Sequence, residues 1–263
     1  MSDMIEFVED AKEWAREVGE IQKENLNGDF EIQTKGRNID LVTEIDKRSE
    51  KIIKERINEK YPDHSILAEE SDFEEKESEY TWIIDPIDGT SNYANGSSLF
   101  CVSIGLKKGD KMVAGCIHIP MMDETYTAFR GKGAYLNGRE ISVSENDDFE
   151  TSIIATGFPR DRKTSDQDNV ENFRKLIKRV GHIRRNGTAA FELCMVAKGV
   201  FDGYWETKLS PWDVAAGTLI VKEAGGRAIN LEGEEIEDNG EFIIAGNQKI
   251  SEKIREVIME TDS

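Results

Sequence analysis

The pattern of apolar residues changes character once along this chain, and that change constrains the fold more than any other feature. Between residues 99 and 144 the apolar residues come in short runs broken by tight turns. Runs 99–106, 112–119 and 124–129 read as strands, and Asn137-Gly138 is the dipeptide of a type I′ hairpin. This portion predicts an antiparallel meander. After about residue 150 strand-like and helix-like segments alternate. Strands are expected at 152–156, 182–185, 200–206, 227–230 and 242–245. Helices are expected at 170–180, 189–198, 211–224 and 248–259. Alternation of this kind predicts an α/β half. Two sheets that differ in connection must be covered by helices on their faces. The chain therefore reads as two halves, 1–147 and 148–263, packed as layers of sheet and helix.

The region before the meander adds two helices. Met4, Val8, Ala11, Ala15 and Val18 recur at helical spacing and predict a helix over 4–26. A polar stretch with Gly and Asn follows over 27–38 and reads as a loop. A second helix opens near Thr43 and runs to about Lys60, with Pro62 stopping it. Residues 65–68 form a short apolar strand, residues 69–79 an acidic loop, and residues 81–84 a buried strand that ends at Asp85.

Chemistry concentrates where that buried strand ends. In Trp82-Ile83-Ile84-Asp85-Pro86-Ile87-Asp88-Gly89-Thr90-Ser91-Asn92, an apolar strand delivers Asp85, and Pro86 fixes a turn and removes a backbone donor. Asp88 follows three residues later, Gly89 permits close backbone approach, and Thr90 and Ser91 begin a short helix. Two carboxylates, a turn, a glycine and a hydroxyl suit a hard, oxygen-ligated cation with a phosphate above it. The same residues also make a capped turn, with Asp88 as the helix N-cap. Glu69 follows the 65–68 strand, either aimed at the same edge or simply beginning the acidic loop. Ser210-Pro211-Trp212-Asp213 opens the 211–224 helix with a capping-box pattern, and Thr43-Glu44-Ile45-Asp46 has the same form. Asp213 and Asp46 thus each have a helix-capping reading beside a reading at the site.

Taken together, these segments resemble the inositol monophosphatase family of Mg²⁺-dependent phosphomonoesterases. The matching residues are Asp40-Leu41-Val42-Thr43-Glu44-Ile45-Asp46, Glu69-Glu70-Ser71, Asp85-Pro86-Ile87-Asp88-Gly89-Thr90-Ser91-Asn92 and Trp212-Asp213-Val214-Ala215-Ala216-Gly217. They occur in the family's order and with similar separations, over roughly residues 4–260. The resemblance implies an α+β fold layered as an αβαβα sandwich, the sugar-phosphatase fold shared with fructose-1,6-bisphosphatase. It implies two to three Mg²⁺ ions per site, for which Mn²⁺ would substitute. Glu69, Asp85 and the Ile87 carbonyl would hold one ion. Asp85, Asp88 and Asp213 would hold a second, and Glu69 with waters a third. Thr90, hydrogen-bonded to Asp46, would help activate water. Gly89 and Thr90 would bind phosphate, and Gly187-Thr188-Ala189 and Glu206 would contact substrate hydroxyls. Lithium inhibition and a homodimer are also implied. Ser91 in place of Thr, Ala68 in place of Gly, Asn186 before the Gly-Thr-Ala turn and a short loop between Ser71 and Tyr80 depart from the family pattern on the substrate side.

Charge and cysteine usage narrow the partners. Lys and Arg total 34 against 53 Asp and Glu, for a net charge of −19. That argues against nucleic acid or an anionic membrane as partner. No run approaches the ~20 apolar residues a bilayer span needs. The acidic start Met1-Ser2-Asp3-Met4-Ile5-Glu6 lacks a signal-peptide pattern, so a cytoplasmic location is expected. Cys101, Cys116 and Cys194 sit singly among apolar residues and read as buried thiols, a nucleophile or zinc site being the alternative. The expected substrate is a small phosphorylated polyol or sugar, inositol 1-phosphate first. The alternative is fructose 1,6-bisphosphate or another small ester, whose second anionic group would need a basic contact from Arg184, Arg185 or Lys208. Those three also read as ordinary surface ion pairs. A metal-sensing protein without turnover is the reading from another class, and it leaves the Thr90–Asp46 pairing without a purpose.

Overall fold

Local sequence explains most element boundaries in the computed structural model, which describes residues 2–26, 28, 32–34 and 41–260. Helix α1 (Ser2–Asn25) is followed by β1 (Ile32–Thr34), β2 (Leu41–Thr43) and α2 (Glu44–Lys60). Thr43 caps α2 by accepting the Ile45 and Asp46 amides, while Asp46 accepts the Thr43 amide in return. Then come β3 (Ser65–Ala68), β4 (Tyr80–Asp88), α3 (Thr90–Ala94), β5 (Cys101–Lys108), β6 (Lys111–Ile119), β7 (Glu124–Phe129), β8 (Ala134–Leu136) and β9 (Arg139–Ile141). Strands β3 to β9 form one seven-stranded sheet in sequence order, antiparallel except for the parallel β3–β4 pair. Asn137 and Gly138 both have positive φ, 48° and 79°, as a type I′ turn between β8 and β9 requires.

The remaining elements are β10 (Ile153–Thr156), α4 (Val170–Leu176), β11 (His182–Arg184), α5 (Ala189–Ala197), β12 (Gly203–Thr207), α6 (Pro211–Glu223), β13 (Arg227–Ile229), β14 (Phe242–Gly246) and α7 (Gln248–Met259). Their five strands form a mixed sheet in the order β11-β10-β12-β14-β13. The buried clusters give the layering. Trp14, Ala15 and Val18 of α1 and Ile53 and Ile57 of α2 pack on the outer face of the large sheet with Trp82, Ile84 and Ile104. Leu193 and Val196 of α5 and Ala216 and Ile220 of α6 fill the space between the sheets with Ile83, Ile117, Tyr204 and Ala245. Ile250, Ile254 and Val257 of α7 and Leu176 of α4 cover the far face with Trp205 and Ile244. The sandwich is therefore αβαβα. Among the described residues no helix is long and apolar enough to cross a membrane.

Three expectations change. Residues 27–38, expected as a loop, contain β1, whose Ile32 and Thr34 are too short a run for strand periodicity to register; its pairing with β2 supplies the signal. The strand expected to begin at Val200 begins at Gly203. Residues 199 and 200 instead close α5: Gly199 has φ +72°, its amide donates to the Val196 carbonyl, and the Val200 amide donates to the Met195 carbonyl. That is a Schellman end, which consumes the residues a strand would need. The helix expected over 170–180 stops at Leu176, where the chain tightens into a turn: the Arg179 amide donates to the Leu176 carbonyl at 2.9 Å, three residues back in place of the helical four.

Helix α6 lies very close to the large sheet. A Cβ on Gly115 would sit 3.0 Å from the Ala216 carbonyl oxygen and 3.2 Å from its Cα. On the neighbouring Gly105 a Cβ would meet the flexible end of Met112 at 2.7 Å and the Ala215 Cβ at an ordinary 3.4 Å. Gly115→Ala is therefore expected to lower stability by ~1–3 kcal/mol, since backbone must move. Gly105→Ala should cost less. Thermal melts of the two variants check this, and equal losses would contradict it.

Candidate active site

The two aspartates of the buried strand reach one point through an irregularity in β4. Residues three apart on a regular strand face opposite sides. Here Asp85 pairs with Ser103 but Asp88 pairs with Cys101, so one extra residue is inserted between them. The strand does not end at Asp85 as expected; it bulges at Pro86, which has no amide to offer the ladder. The bulge puts Asp85 and Asp88 on the same face, toward the α5–α6 layer. Gly89 follows with φ +94°, and a Cβ there would lie 3.1 Å from the Leu99 carbonyl oxygen. Asp88 is not the N-cap of α3; Gly89 is. Asp88 instead receives the start of α5. Its Oδ2 accepts the Thr188 hydroxyl at 2.5 Å and the Ala190 amide at 2.6 Å.

Asp213 arrives from α6. Its Oδ2 accepts the Ser210 amide at 2.7 Å, as the capping pattern predicts, and the carboxylate still reaches the site. Asp85, Asp88 and Asp213 each place a carboxylate oxygen within 4.8 Å of the others. Capping and clustering are therefore compatible roles for Asp213. Asp46 behaves in the same way. Its Oδ2 completes the cap of α2, while Oδ1 accepts the Thr90 hydroxyl at 3.1 Å. The Thr90 hydroxyl also lies 3.0 Å from the Ile87 carbonyl, and with one proton it donates to one of the two at a time.

Electrostatics make this cluster unstable on its own. Burial, then the charges of Glu69, Asp88 and Asp213, hold the Asp85 carboxyl well above the usual range. Burial pushes Asp88 up to about 6 against the opposing hydrogen bond from Thr188. Burial and the neighbouring Asp88 raise Asp213, and burial raises Asp46. Asp85 Oδ1 is buried without a hydrogen-bond partner among the described residues. A buried carboxylate oxygen without a donor, inside a trio of oxygen ligands, fits a hard divalent cation.

Glu69 lies outside the 4.8 Å trio but lines the same cavity, of about 630 Å³, with Asp88, Thr90, Gly187, Glu206 and Asp213. One Glu69 oxygen is 3.7 Å from the Arg160 guanidinium. Glu206 accepts the Tyr204 hydroxyl at 2.7 Å and packs on Gly157, where a Cβ would collide with it. Burial brings Glu206 up to about 7. Gly187 has φ +85° and leads into Thr188 and Ala189 at the head of α5. Of the three expected basic residues, Arg185 and Lys208 line the cavity, Lys208 bound to Asp161 at 2.9 Å, whereas Arg184 is not part of the lining. Arg160 and Arg162, from the 157–165 loop, were not singled out by sequence, because an irregular loop has no periodicity to place them. Glu192 was also missed; inside an apolar helix it carried no motif. Asp40 lies outside the described residues.

The sequence model of the inositol monophosphatase family matches residues 3–261. The chain belongs to the inositol monophosphatase family. It is 40% identical over 259 residues to a fructose-1,6-bisphosphatase/inositol-1-monophosphatase of Aquifex aeolicus, covering 98% of this chain and 97% of that one. It is 40% identical over 232 residues to an inositol-1-monophosphatase of Synechocystis, covering 88% and 81%. The solved inositol monophosphatase from Anabaena superimposes with a TM-score of 0.90 at 36% identity, covering 99% of this chain and 98% of that one. Members of the inositol monophosphatase family are metal-dependent phosphatases, and this chain is a phosphatase with that family's layered fold.

Proposed function

We propose that this phosphatase hydrolyses small phosphate monoesters with Mg²⁺, or Mn²⁺ in its place, and that inositol 1-phosphate is its first substrate. The observation that carries this reading is the Asp85–Asp88–Asp213 trio, its first two members buried and Asp85 Oδ1 unpartnered among the described residues, with Asp88 and Asp213 lining a cavity of about 630 Å³. In this reading Glu69, Asp85, the Ile87 carbonyl, Asp88 and Asp213 hold two to three ions. Cations held there would neutralise the carboxylates, attract the phosphate dianion and lower the pKa of a water, whose hydroxide form attacks phosphorus. With its hydroxyl donating to Asp46 Oδ1, Thr90 would accept a hydrogen bond from the attacking water, and as that water gives up its proton to Thr90 the Thr90 proton would pass to Asp46. The Gly89 and Thr90 amides orient the phosphate. Gly187, Thr188, Ala189 and Glu206 accept or donate to the substrate hydroxyls. Half-buried Glu206, pushed up to about 7 by desolvation, serves either role. We place the reaction in the cytoplasm, where Cys101, Cys116 and Cys194, all buried and free, stay reduced. Lithium inhibition and a homodimer belong to the same reading.

A second reading has specific support. Arg160, Arg162, Arg185 and Lys208 all line the cavity, so it offers positive charge alongside its carboxylates. That favours a sugar bisphosphate. Phosphate release from a panel of esters with Mg²⁺, compared by kcat/KM, decides between them. If a bisphosphate is preferred, Arg185→Ala should reduce its kcat/KM about tenfold or more, the worth of a charge-assisted hydrogen bond, and that of inositol 1-phosphate far less. Equal losses on both would remove the bisphosphate reading. No phosphate release from any ester would remove both.

A further inference from the structure

Glu192 is the only charged residue of α5, a helix whose other eight residues are small or apolar and buried. It is itself 1% exposed. Burying a carboxylate is costly unless its oxygens are satisfied. Both oxygens are spent on one residue: Oε1 accepts the Asn186 amide at 2.9 Å and Oε2 accepts Asn186 Nδ2 at 3.0 Å. The Asn186 carbonyl in turn accepts Asn92 Nδ2 at 2.8 Å, and the same Nδ2 reaches the Leu99 carbonyl at 2.7 Å. Asn186 is thus gripped from α5 and from α3. Gly187 turns the chain with φ +85°, and Thr188 and Ala190 then donate to Asp88 Oδ2.

We propose that Glu192 is a positioning residue: by clamping Asn186 it fixes the turn that holds Asp88, and so sets the direction of a carboxylate that would ligate the metal. The proposal rests on the reading of the acidic trio as a metal site. Its logic is that the Thr188 and Ala190 donors are useful only if they stand still. Without Glu192, Asn186 loses both of its bonds to α5 and keeps its carbonyl bond to Asn92, so the turn is held at its Thr188 end and released at its start. Asp88 then keeps its donors but loses their fixed direction, and the oxygen left for the ion drifts. Partners that orient a metal ligand typically contribute 10–100-fold to metal affinity or activity.

The test compares the wild type with Glu192→Ala and Glu192→Gln. Mn²⁺ dissociation constants are measured by calorimetry without substrate, together with kcat and KM for inositol 1-phosphate. Glu192→Ala should weaken Mn²⁺ binding about 10–100-fold and lower kcat in step, with KM for the ester changed far less. Glu192→Gln, which still accepts the Asn186 amide, should recover most of the loss. Mn²⁺ binding by Glu192→Ala within twofold of wild type overturns the proposal, whatever its melting temperature. Glutamine as damaging as alanine also overturns it, because charge and not the clamp would then be responsible. If Glu192→Ala does not fold, Asn186→Ala, which removes the Nδ2 donor and keeps the amide, takes its place. Weakened Mn²⁺ binding supports the clamp and unchanged binding overturns it. If the wild type itself binds no Mn²⁺, the metal reading fails first and this proposal falls with it. The two failures are therefore told apart.

Discussion

Asp88→Asn is expected to reduce Mg²⁺-supported phosphate release at least ~10³-fold, the several kcal/mol that a metal-organised transition state is worth. Asp88 has a carboxylate oxygen within 4.8 Å of those of both Asp85 and Asp213, and an amide oxygen is a far weaker ligand than a carboxylate. The fold should survive. The amide oxygen still accepts the Thr188 hydroxyl and the Ala190 amide, and the substitution removes a charge that burial opposes. Metal-free Asp88→Asn should therefore melt no lower than the wild type at pH 8. Steady-state phosphate release and circular-dichroism melts check both halves. Turnover within tenfold of wild type would sink the assignment of Asp88.

Without divalent cations, the wild type should become less stable as pH rises from about 6 to 8, and Mg²⁺ should remove most of that slope. Asp88 is raised to about 6, Glu192 and Glu206 to about 7, and Asp85 and Asp213 well above the carboxylate range, with burial the first cause in each. Unfolded carboxyls titrate near ~4. The folded state therefore holds more protons through this window, and stability present at low pH is lost as pH climbs through the folded values. His64 and His118, which burial keeps neutral, act in the opposite sense, but only below their unfolded value of ~6.5. Saturation to about 100 times the dissociation constant adds ~2.7 kcal/mol. For a chain of this size that is a rise of roughly 5–10 °C in Tm. Melts at pH 6.5 and 8, with EDTA and with Mg²⁺, measure it. A flat pH response in EDTA and no rise with Mg²⁺ would contradict the electrostatic account.

What the sequence disclosed follows from where the information is local. Helix ends were legible because Thr43, Pro62 and the Ser210-Pro211 pair act on neighbouring backbone. The hairpin was legible because Asn137-Gly138 fixes its own turn. The layering was legible because a meander followed by alternation leaves few arrangements. The bulge at Pro86 was not, since one inserted residue is defined only by its partner strand. Glu192 and Arg160 were not, because a clamp and a loop cation are recognised by what they touch across the fold. The capping readings of Asp46 and Asp213 were incomplete for another reason. A carboxylate has two oxygens, and in each case one closes the helix while the carboxylate also serves the site, Asp46 through Thr90 and Asp213 through the trio.

The tight seating of α6 on Gly115 has a consequence for how the enzyme comes into being. Two acids of the trio are translated early and the third about 125 residues after them (213 − 88 = 125), on a helix that finds its place only once the sheet beneath it exists. A ribosome-bound chain that has not reached Asp213 carries two buried acids without their third. Catalytic competence thus appears late in synthesis, once that helix has docked on the sheet.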